Sequence, residues 1–234
     1  RHLIVHGPHC RQALLAAGVA ANKISINRHG SFATYDQNRH AEIAEEEQTV
    51  LFFGELRPNK GVHRLAALAR IVQEALPHAK FIVAGKCTKL PRKADMEKVR
   101  RTMAALKAAP GFEVHDRFIP DDEVEYLFRR SALVILPYAE ASQSGVIPVA
   151  YAFRKPVIAY RVGDLSESIM PNETGLLIAP EDENAFGRAI VRLLRHTNER
   201  RSMGRTAYDW SQRELAWDSI ARRTVEEYGK MLVA

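Results

Sequence analysis

The sequence holds no long apolar run, and nothing in it approaches the roughly 18 consecutive apolar residues that a membrane-spanning helix needs. Its opening, Arg1-His2-Leu3-Ile4-Val5-His6-Gly7, also lacks the extended apolar stretch of a secretory signal. A soluble, cytoplasmic protein is the expectation that follows. Cysteine is scarce. Cys10 and Cys87 are the only two, and no CxxC pair exists, which speaks against a disulfide framework and a cysteine-built zinc site and leaves two free thiols. The glycine fingerprints of dinucleotide and P-loop sites, GxGxxG after a strand and GxxxxGK[ST], are missing, as are HExxH and GxSxG. A dehydrogenase, a nucleoside triphosphatase, a zinc protease and a serine hydrolase all lose their signatures. The nine histidines are scattered, so no metal site and no metal or other cofactor are expected. Lys and Arg number 34 against 28 Asp and Glu, a net charge of +6. A basic surface attracts a phosphorylated substrate, an anionic membrane face or nucleic acid. These cations form no single stripe and accompany no helix-turn-helix, zinc-finger or RNA-recognition signature, so nucleic acid is not an expected partner.

What is present is a regular alternation. The 234 residues are 46% hydrophobic, enough for a sizeable core. Val50 to Gly54, Lys80 to Gly85, Phe112 to His115, Leu133 to Pro137, Pro156 to Ala159 and Gly175 to Ala179 are short apolar runs bounded by Gly, Pro or charge, and they read as strands buried on both faces. Between them, Val62, Leu65, Ala69, Val72 and Leu76 recur at helical spacing, as do Val124, Leu127 and Phe128, and then Phe186, Ile190, Leu193 and Leu194. Strand, helix, strand repeated in this way predicts an α/β fold with a doubly wound parallel, Rossmann-like sheet. Ligands of such sheets sit outside the carboxyl ends of the strands, so the loops after the strands are where chemistry is sought. The first 30 residues form a separate piece, with a strand near Leu3 to Val5, a helix around Arg11 to Ala17, and Lys23 to Ile26 running into His29-Gly30. The polar stretch from Asp36 to Gln48, with Glu45-Glu46-Glu47, reads as a linker. At the far end Trp217, Ile220, Ala221, Thr224, Tyr228 and Met231 outline a long amphipathic helix that needs an apolar surface to lie against.

Two loops carry candidate chemistry. In Phe53-Gly54-Glu55-Leu56-Arg57-Pro58-Asn59-Lys60-Gly61, two cations just ahead of a helix suit a diphosphate. Arg57 offers a planar fork and Lys60 a mobile point charge, while Gly54 and Gly61 let the backbone approach closely. A solvated turn with two ordinary surface cations has the same spacing. In Pro137-Tyr138-Ala139-Glu140-Ala141-Ser142-Gln143-Ser144-Gly145, a small polar loop leads into a helix over Val146 to Phe153, whose first N–H groups suit an anion. A helix cap without a ligand accounts equally well for the serine.

In order along nearly the whole chain, several segments resemble those of the retaining glycosyltransferases of GT-B fold, the group 1 or family 4-like enzymes. Phe53-Gly54 with Arg57, Lys60 and Gly61 is similar to the family's FGxxxxxKG segment, whose Arg and Lys hold the donor diphosphate. Phe81-Ile82-Val83-Ala84-Gly85 resembles its second strand and glycine, Leu136-Pro137 and Pro156-Val157-Ile158-Ala159 resemble the strands flanking its donor loop, and Asn172 to Leu177 resembles its NGxTGLL turn. The resemblance implies that Ser144 and Gly145 meet phosphates through backbone N–H groups. It also implies that Arg117, Phe118 and Ile119 line the base, with Gly54, Gly85, Tyr138, Ser142 and Gln143 around the base, ribose and sugar. One departure stands out. The family carries two glutamates separated by seven residues across the donor loop, the second contacting ribose hydroxyls, and alignment on Pro137 and Pro156 puts Ala141 and Val149 there. A valine accepts no hydrogen bond. Glu140, one position away, is the candidate substitute for the first, and Gln143-Ser144-Gly145 resembles a subgroup that replaces the acidic motif.

The same resemblance divides the chain into 1–30, the last strand and helix of an N-terminal lobe, 31–48, an interlobe linker, 49–212, the nucleotide-sugar-binding domain, and 213–234, a helix returning to that lobe. It implies that the remainder of the N-terminal lobe, with the acceptor pocket and the residue facing the anomeric carbon, is missing, and that this part alone does not turn over. The implied reaction moves a sugar from a nucleoside diphosphate sugar to a glycan or lipid-linked acceptor, with retention and without a metal. Lipid-linked acceptors imply peripheral contact with the inner face of a membrane, where Arg11, Lys23 and Arg28 would lie; a solvated basic surface explains the same cations. A sugar-nucleotide epimerase of similar architecture and a non-catalytic nucleotide-binding module are the alternatives.

Overall fold

The structure is a computed structural model that describes residues 2–88 and 90–233. Its first piece pairs β1 (Leu3–Val5) with β2 (Ile24–Ile26) in parallel, joined through helix α1 (Pro8–Ala16). That helix starts three residues ahead of the expected Arg11, because proline at the first helical position has its torsion preset and no N–H to lose.

The larger piece is a parallel sheet of six strands: β3 (Thr49–Phe53), β4 (Lys80–Gly85), β5 (Phe112–Asp116), β6 (Leu133–Leu136), β7 (Val157–Tyr160) and β8 (Gly175–Ile178). All six expected strands are present within a residue or two at either end. The spatial order is β5-β4-β3-β6-β7-β8, so counted from β3 the strands run 3-2-1-4-5-6. This is the order of the doubly wound dinucleotide-binding sheet, and it reverses between β3 and β6. Helices α2 (Leu65–Ala75), α3 (Lys93–Ala108), α4 (Asp121–Arg130), α5 (Val146–Ala152), α6 (Glu183–Arg195) and α7 (Thr197–Glu214) follow or cover the strands. Burial on both faces explains the unbroken apolar runs: Val50, Leu51, Val134, Ile135, Val157 and Ile158 are all fully buried. On α6 the spaced residues Phe186, Ile190 and Leu193 are likewise buried, each contributing about 1.5 to 3 kcal/mol. That helix is capped by Asp182, whose carboxylate accepts the Ala185 N–H at 2.7 Å.

The turn entering β8 depends on one hydroxyl. Thr174 is fully buried; its Oγ1 accepts the Met170 N–H at 2.9 Å and donates its own proton to the Tyr151 hydroxyl at 2.8 Å, which in turn donates to the Ser168 carbonyl at 2.8 Å. Thr174→Val keeps the shape but removes the acceptor of the Met170 N–H and the donor to the Tyr151 oxygen. It is expected to destabilise by about 1 to 3 kcal/mol in urea unfolding with an unchanged slope; no shift of midpoint would mean that water replaces the hydroxyl.

The final helix, α8 (Trp217–Val233), lies on the first piece, as its amphipathic pattern demands. Asn27 donates to the Ile220 carbonyl at 3.0 Å and to Thr224 Oγ1 at 2.8 Å, and Trp217 Nε1–H donates to the Ser31 carbonyl at 2.9 Å. Ile220 is buried, whereas Tyr228 stays half exposed. Met231, also expected on the apolar stripe, has its side chain outside what is described.

The polar stretch from Asp36 to Gln48 has no helix or strand, yet it is anchored at several points. The buried Glu125 accepts the backbone N–H groups of Gln37 and His40, each at 3.2 Å. Arg129 reaches Asp36 at 2.5 Å, and Arg130 reaches Glu46 at 2.8 Å while holding Glu113 through both terminal nitrogens. Glu45 is the deepest anchor, at 2.5 Å from Lys155 Nζ and 2.9 Å from Arg200. A composition that suggests a free linker here reflects carboxylates directed inward onto buried cations.

Candidate functional site

Where the strand order reverses, the loops after β3 and β6 touch. Ala139 N–H donates to the Asn59 carbonyl at 2.9 Å, stitching the two loops together. Gly61 sits in the left-handed region at φ +75°, and a Cβ there would lie 1.9 Å from the Pro137 carbonyl oxygen. Only glycine allows both the turn and that approach. At the adjacent strand end Gly85, at φ +154°, lies so close to Gly54 that a Cβ would meet its carbonyl oxygen at 1.7 Å.

These contacts frame a cleft of about 320 Å³ between Gly54, Glu55 and Lys60 on one side and Tyr138, Gln143, Ser144, Gly145 and Val149 on the other. Phe32, Tyr35 and Phe53 add an aromatic wall. Lys60 is its cation. The ammonium lies 4.0 Å from the centre of the Tyr138 ring and has no carboxylate partner among the described residues. Burial pushes its pKa below the ordinary value of 10.5, Glu55 opposes that shift, and Arg57 adds to it. A partly desolvated cation above an aromatic face, open to a cleft, gains from an arriving anion what water no longer supplies. Tyr138 is a platform: its ring is buried, its hydroxyl lies 3.2 Å from Ser144 Oγ, and burial pushes its pKa up to about 12. Ser144 Oγ in turn accepts the Val146 N–H at 3.3 Å.

Of the residues singled out from the sequence, Gly54, Lys60, Tyr138, Gln143, Ser144 and Gly145 are brought together here. Arg57 stands beside the cleft, donating from Nε to Thr88 Oγ1 at 2.8 Å and pairing with Glu55 at 3.1 Å. Gly85 contributes through its approach to Gly54. Ser142 is exposed and does not line the cleft, its carbonyl accepting the Asp164 N–H at 3.3 Å. Glu140 is exposed next to the Arg57–Gly61 turn and does not line the cleft. The segment after β5 lies two strands from β3: Arg117 pairs with Glu123, Phe118 is 70% exposed, and Ile119 is buried in the core. Among these three, Phe118 alone has a free apolar face. The helix after the donor loop ends at Ala152, one residue short of the expected Phe153, and spans seven residues. The aromatic wall went unseen in the sequence because Phe32 and Tyr35 belong to a stretch that reads as connection. Phe32 stacks on His29, at 5.0 Å between ring centres, and a Cβ on Gly145 would lie 3.3 Å from its ring.

Residues 47–196 match the family described as "Glycosyl transferases group 1", well over half of the chain. The chain belongs to this glycosyltransferase family. A D-inositol 3-phosphate glycosyltransferase of Corynebacterium urealyticum is 26% identical over 203 residues, which cover 84% of this chain and 46% of that protein. Among solved structures, sucrose-phosphate synthase of Thermosynechococcus elongatus superposes with a TM-score of 0.81 at 23% identity, over 98% of this chain and 58% of that one. Anabaena HepE, solved in complex with UDP-glucose, superposes with a TM-score of 0.79 at 17% identity, over 98% of this chain and 64% of that one. The fold is that of GT-B glycosyltransferases, and the expected α/β class with a parallel sheet holds. The chain spans about half the length of the curated relatives it matches. Among the described residues, no helix is long and apolar enough to cross a membrane.

Proposed function

We propose that this glycosyltransferase chain is the donor half of an enzyme that transfers a sugar from a nucleoside diphosphate sugar to an acceptor, with retention of configuration. The observation that carries the reading is the Lys60 ammonium, without an ion-pair partner among the described residues and facing a cleft at the strand-order reversal. As the glycosidic bond breaks, negative charge builds on the departing diphosphate. In this reading Lys60, Arg57 and the backbone N–H groups at Ser144 and Gly145 take up that charge without a metal. Arg57 must first exchange Glu55 for phosphate. A half-exposed pair of this kind is worth at most about 1 kcal/mol, so a doubly charged ligand displaces it.

In this reading residues 49–212 form the nucleotide-sugar domain, 31–48 join it to the piece at 1–30, and 213–234 return to that piece. The acceptor, a glycan or a lipid-linked sugar, would be held chiefly by residues beyond this chain, with peripheral contact at the cytoplasmic face of a membrane. Val149 lines the cleft where relatives place their ribose-binding glutamate, which supports assignment to the Gln-Ser-Gly subgroup. Glu140, exposed as it stands, would act only after loop movement.

Calorimetric titration with UDP, GDP, ADP and dTDP tests the donor site. One of the four is expected to bind selectively, and Lys60→Ala is expected to cost about 1.5 to 3 kcal/mol, roughly 10- to 150-fold in Kd, with little change in unfolding. Arg57→Ala is expected to cost less, because the lost phosphate contact is partly offset by no longer breaking the Glu55 pair. Equal affinity in the wild type and both variants would remove the proposed grip.

A further inference from the structure

Helix α1 begins without a cap of its own. Gly7 occupies the cap position in extended geometry and offers no side chain to the free N–H groups of the first turn. Those groups are served from 155 residues away, where Asp164 Oδ1 accepts the His9 N–H at 2.7 Å. Its Oδ2 accepts the Cys10 N–H at 3.3 Å. Asp164 is only 4% exposed, so its charge is stabilised by these N–H groups and by the positive end of the helix dipole more than by water. The fit is tight: a Cβ on Gly7 would lie 2.3 Å from the Asp164 carboxyl carbon, which explains why this helix carries no local Ser or Asp cap.

The same residue reaches the donor loop through its backbone. Asp164 N–H donates to the Ser142 carbonyl at 3.3 Å, and the neighbouring Gly163, at φ +51°, lies so close that a Cβ would stand 1.5 Å from the Ala141 carbonyl oxygen. Ser142 leads directly into Gln143, Ser144 and Gly145, which line the cleft. A single residue therefore connects the first turn of α1, in the β1–β2 piece, to the loop that forms one wall of the site.

We propose that Asp164 is a positioning residue that couples the placement of α1 to the donor loop, so that the β1–β2 piece sets how well Gln143-Ser144-Gly145 receives a nucleoside diphosphate. The inference rests on the reading of the cleft as a nucleotide-sugar site. Removing the carboxylate frees the first turn of α1, and the Asp164 backbone that holds the Ser142 carbonyl loses its anchor on that helix. Nucleotide binding then no longer reports to α1, and α1 no longer steadies the loop.

The test is calorimetric titration of the 234-residue chain with UDP, GDP, ADP and dTDP in turn, combined with hydrogen exchange of the amides of α1 with and without the nucleotide that binds. Asp164→Ala is expected to weaken binding about tenfold, the ordinary scale of coupling between sites. In the wild type the nucleotide is expected to slow exchange in the first turn of α1, and in Asp164→Ala that response disappears. Asp164→Asn, which keeps one acceptor oxygen in the same shape, is expected to fall between the two and carries the comparison if the alanine variant does not fold. Wild-type affinity in the variants, or α1 exchange that ignores nucleotide in the wild type, overturns the coupling while leaving the donor site standing. Absence of binding by the wild type to all four nucleotides overturns the donor site itself, and the coupling with it.

Discussion

Glu45→Gln is expected to lower the stability of the fold by about 3 to 5 kcal/mol, a large fraction of the total for a domain of this kind. The carboxylate is the shared partner of Lys155, whose side chain is 7% exposed, and Arg200, whose side chain is 1% exposed. Arg200 also donates to the Leu193 carbonyl at 2.9 Å, but that contact carries no negative charge. The amide of glutamine has nearly the volume of the carboxylate, so the variant isolates the charge and leaves two buried cations uncompensated. Denaturant unfolding with the slope held constant measures it, and a loss under about 1 kcal/mol would mean that the cations reach water. Lys155→Met in the Glu45→Gln background should recover part of the loss, because it removes one of the stranded charges.

The same cluster predicts acid sensitivity. Burial pushes the Glu45 pKa up, but Lys155 and Arg200 outweigh it and hold the group below its ordinary value of 4.5. Burial presses Lys155 below its ordinary value while Glu45 opposes that shift. A carboxylate between two cations at hydrogen-bond distance makes the charged form of Glu45 the secure element of the set. Because its folded pKa lies below the unfolded one, its contribution is complete above about pH 4.5 and is lost as the pH falls through the folded value. Wild type should therefore lose stability on acidification more steeply than Glu45→Gln over that window.

The second large effect is expected at Gly61. Gly61→Ala puts a Cβ 1.9 Å from the Pro137 carbonyl oxygen, a backbone atom that cannot swing aside, at φ +75°. Left-handed strain and overlap together are expected to cost about 2 to 4 kcal/mol. The loss should also appear in nucleotide binding, since the displaced turn carries Lys60 and faces the donor loop. Gly18→Ala supplies the control: Gly18 has φ +85° but nothing within 4 Å of its Cβ direction, so it carries the strain alone. Equal stability losses in the two variants would show that the loops separate freely, against the stitched arrangement.

Both effects arise at residues whose importance was unequally legible. Gly61 stood out in the sequence because glycine next to a cation in a loop after a strand has few readings. Glu45 looked like part of a solvated acidic run, since nothing local distinguishes a carboxylate facing water from one facing Arg200. Phe32 and Tyr35 were hidden too, lying in the 31–48 segment that the family resemblance made an interlobe linker. Arg117 and Ile119 were legible as residues after a strand, but β5 lies at the edge of the sheet, and neither side chain lines the cleft.

The sequence by itself determined the six strands, most of their helices, the parallel α/β class, and the loop carrying Lys60, because these depend on periodicity and chemistry over a few consecutive residues. The tertiary structure alone decided which loops meet at the reversal of strand order, that Tyr138 would be a buried platform under Lys60, and that carboxylates at 45 and 164 would be satisfied by groups 110 to 155 residues away. The physical reason is that burial and ion pairing are properties of a position in space. A local pattern states which face of an element is apolar, but the partner of a charge is fixed only when the elements pack.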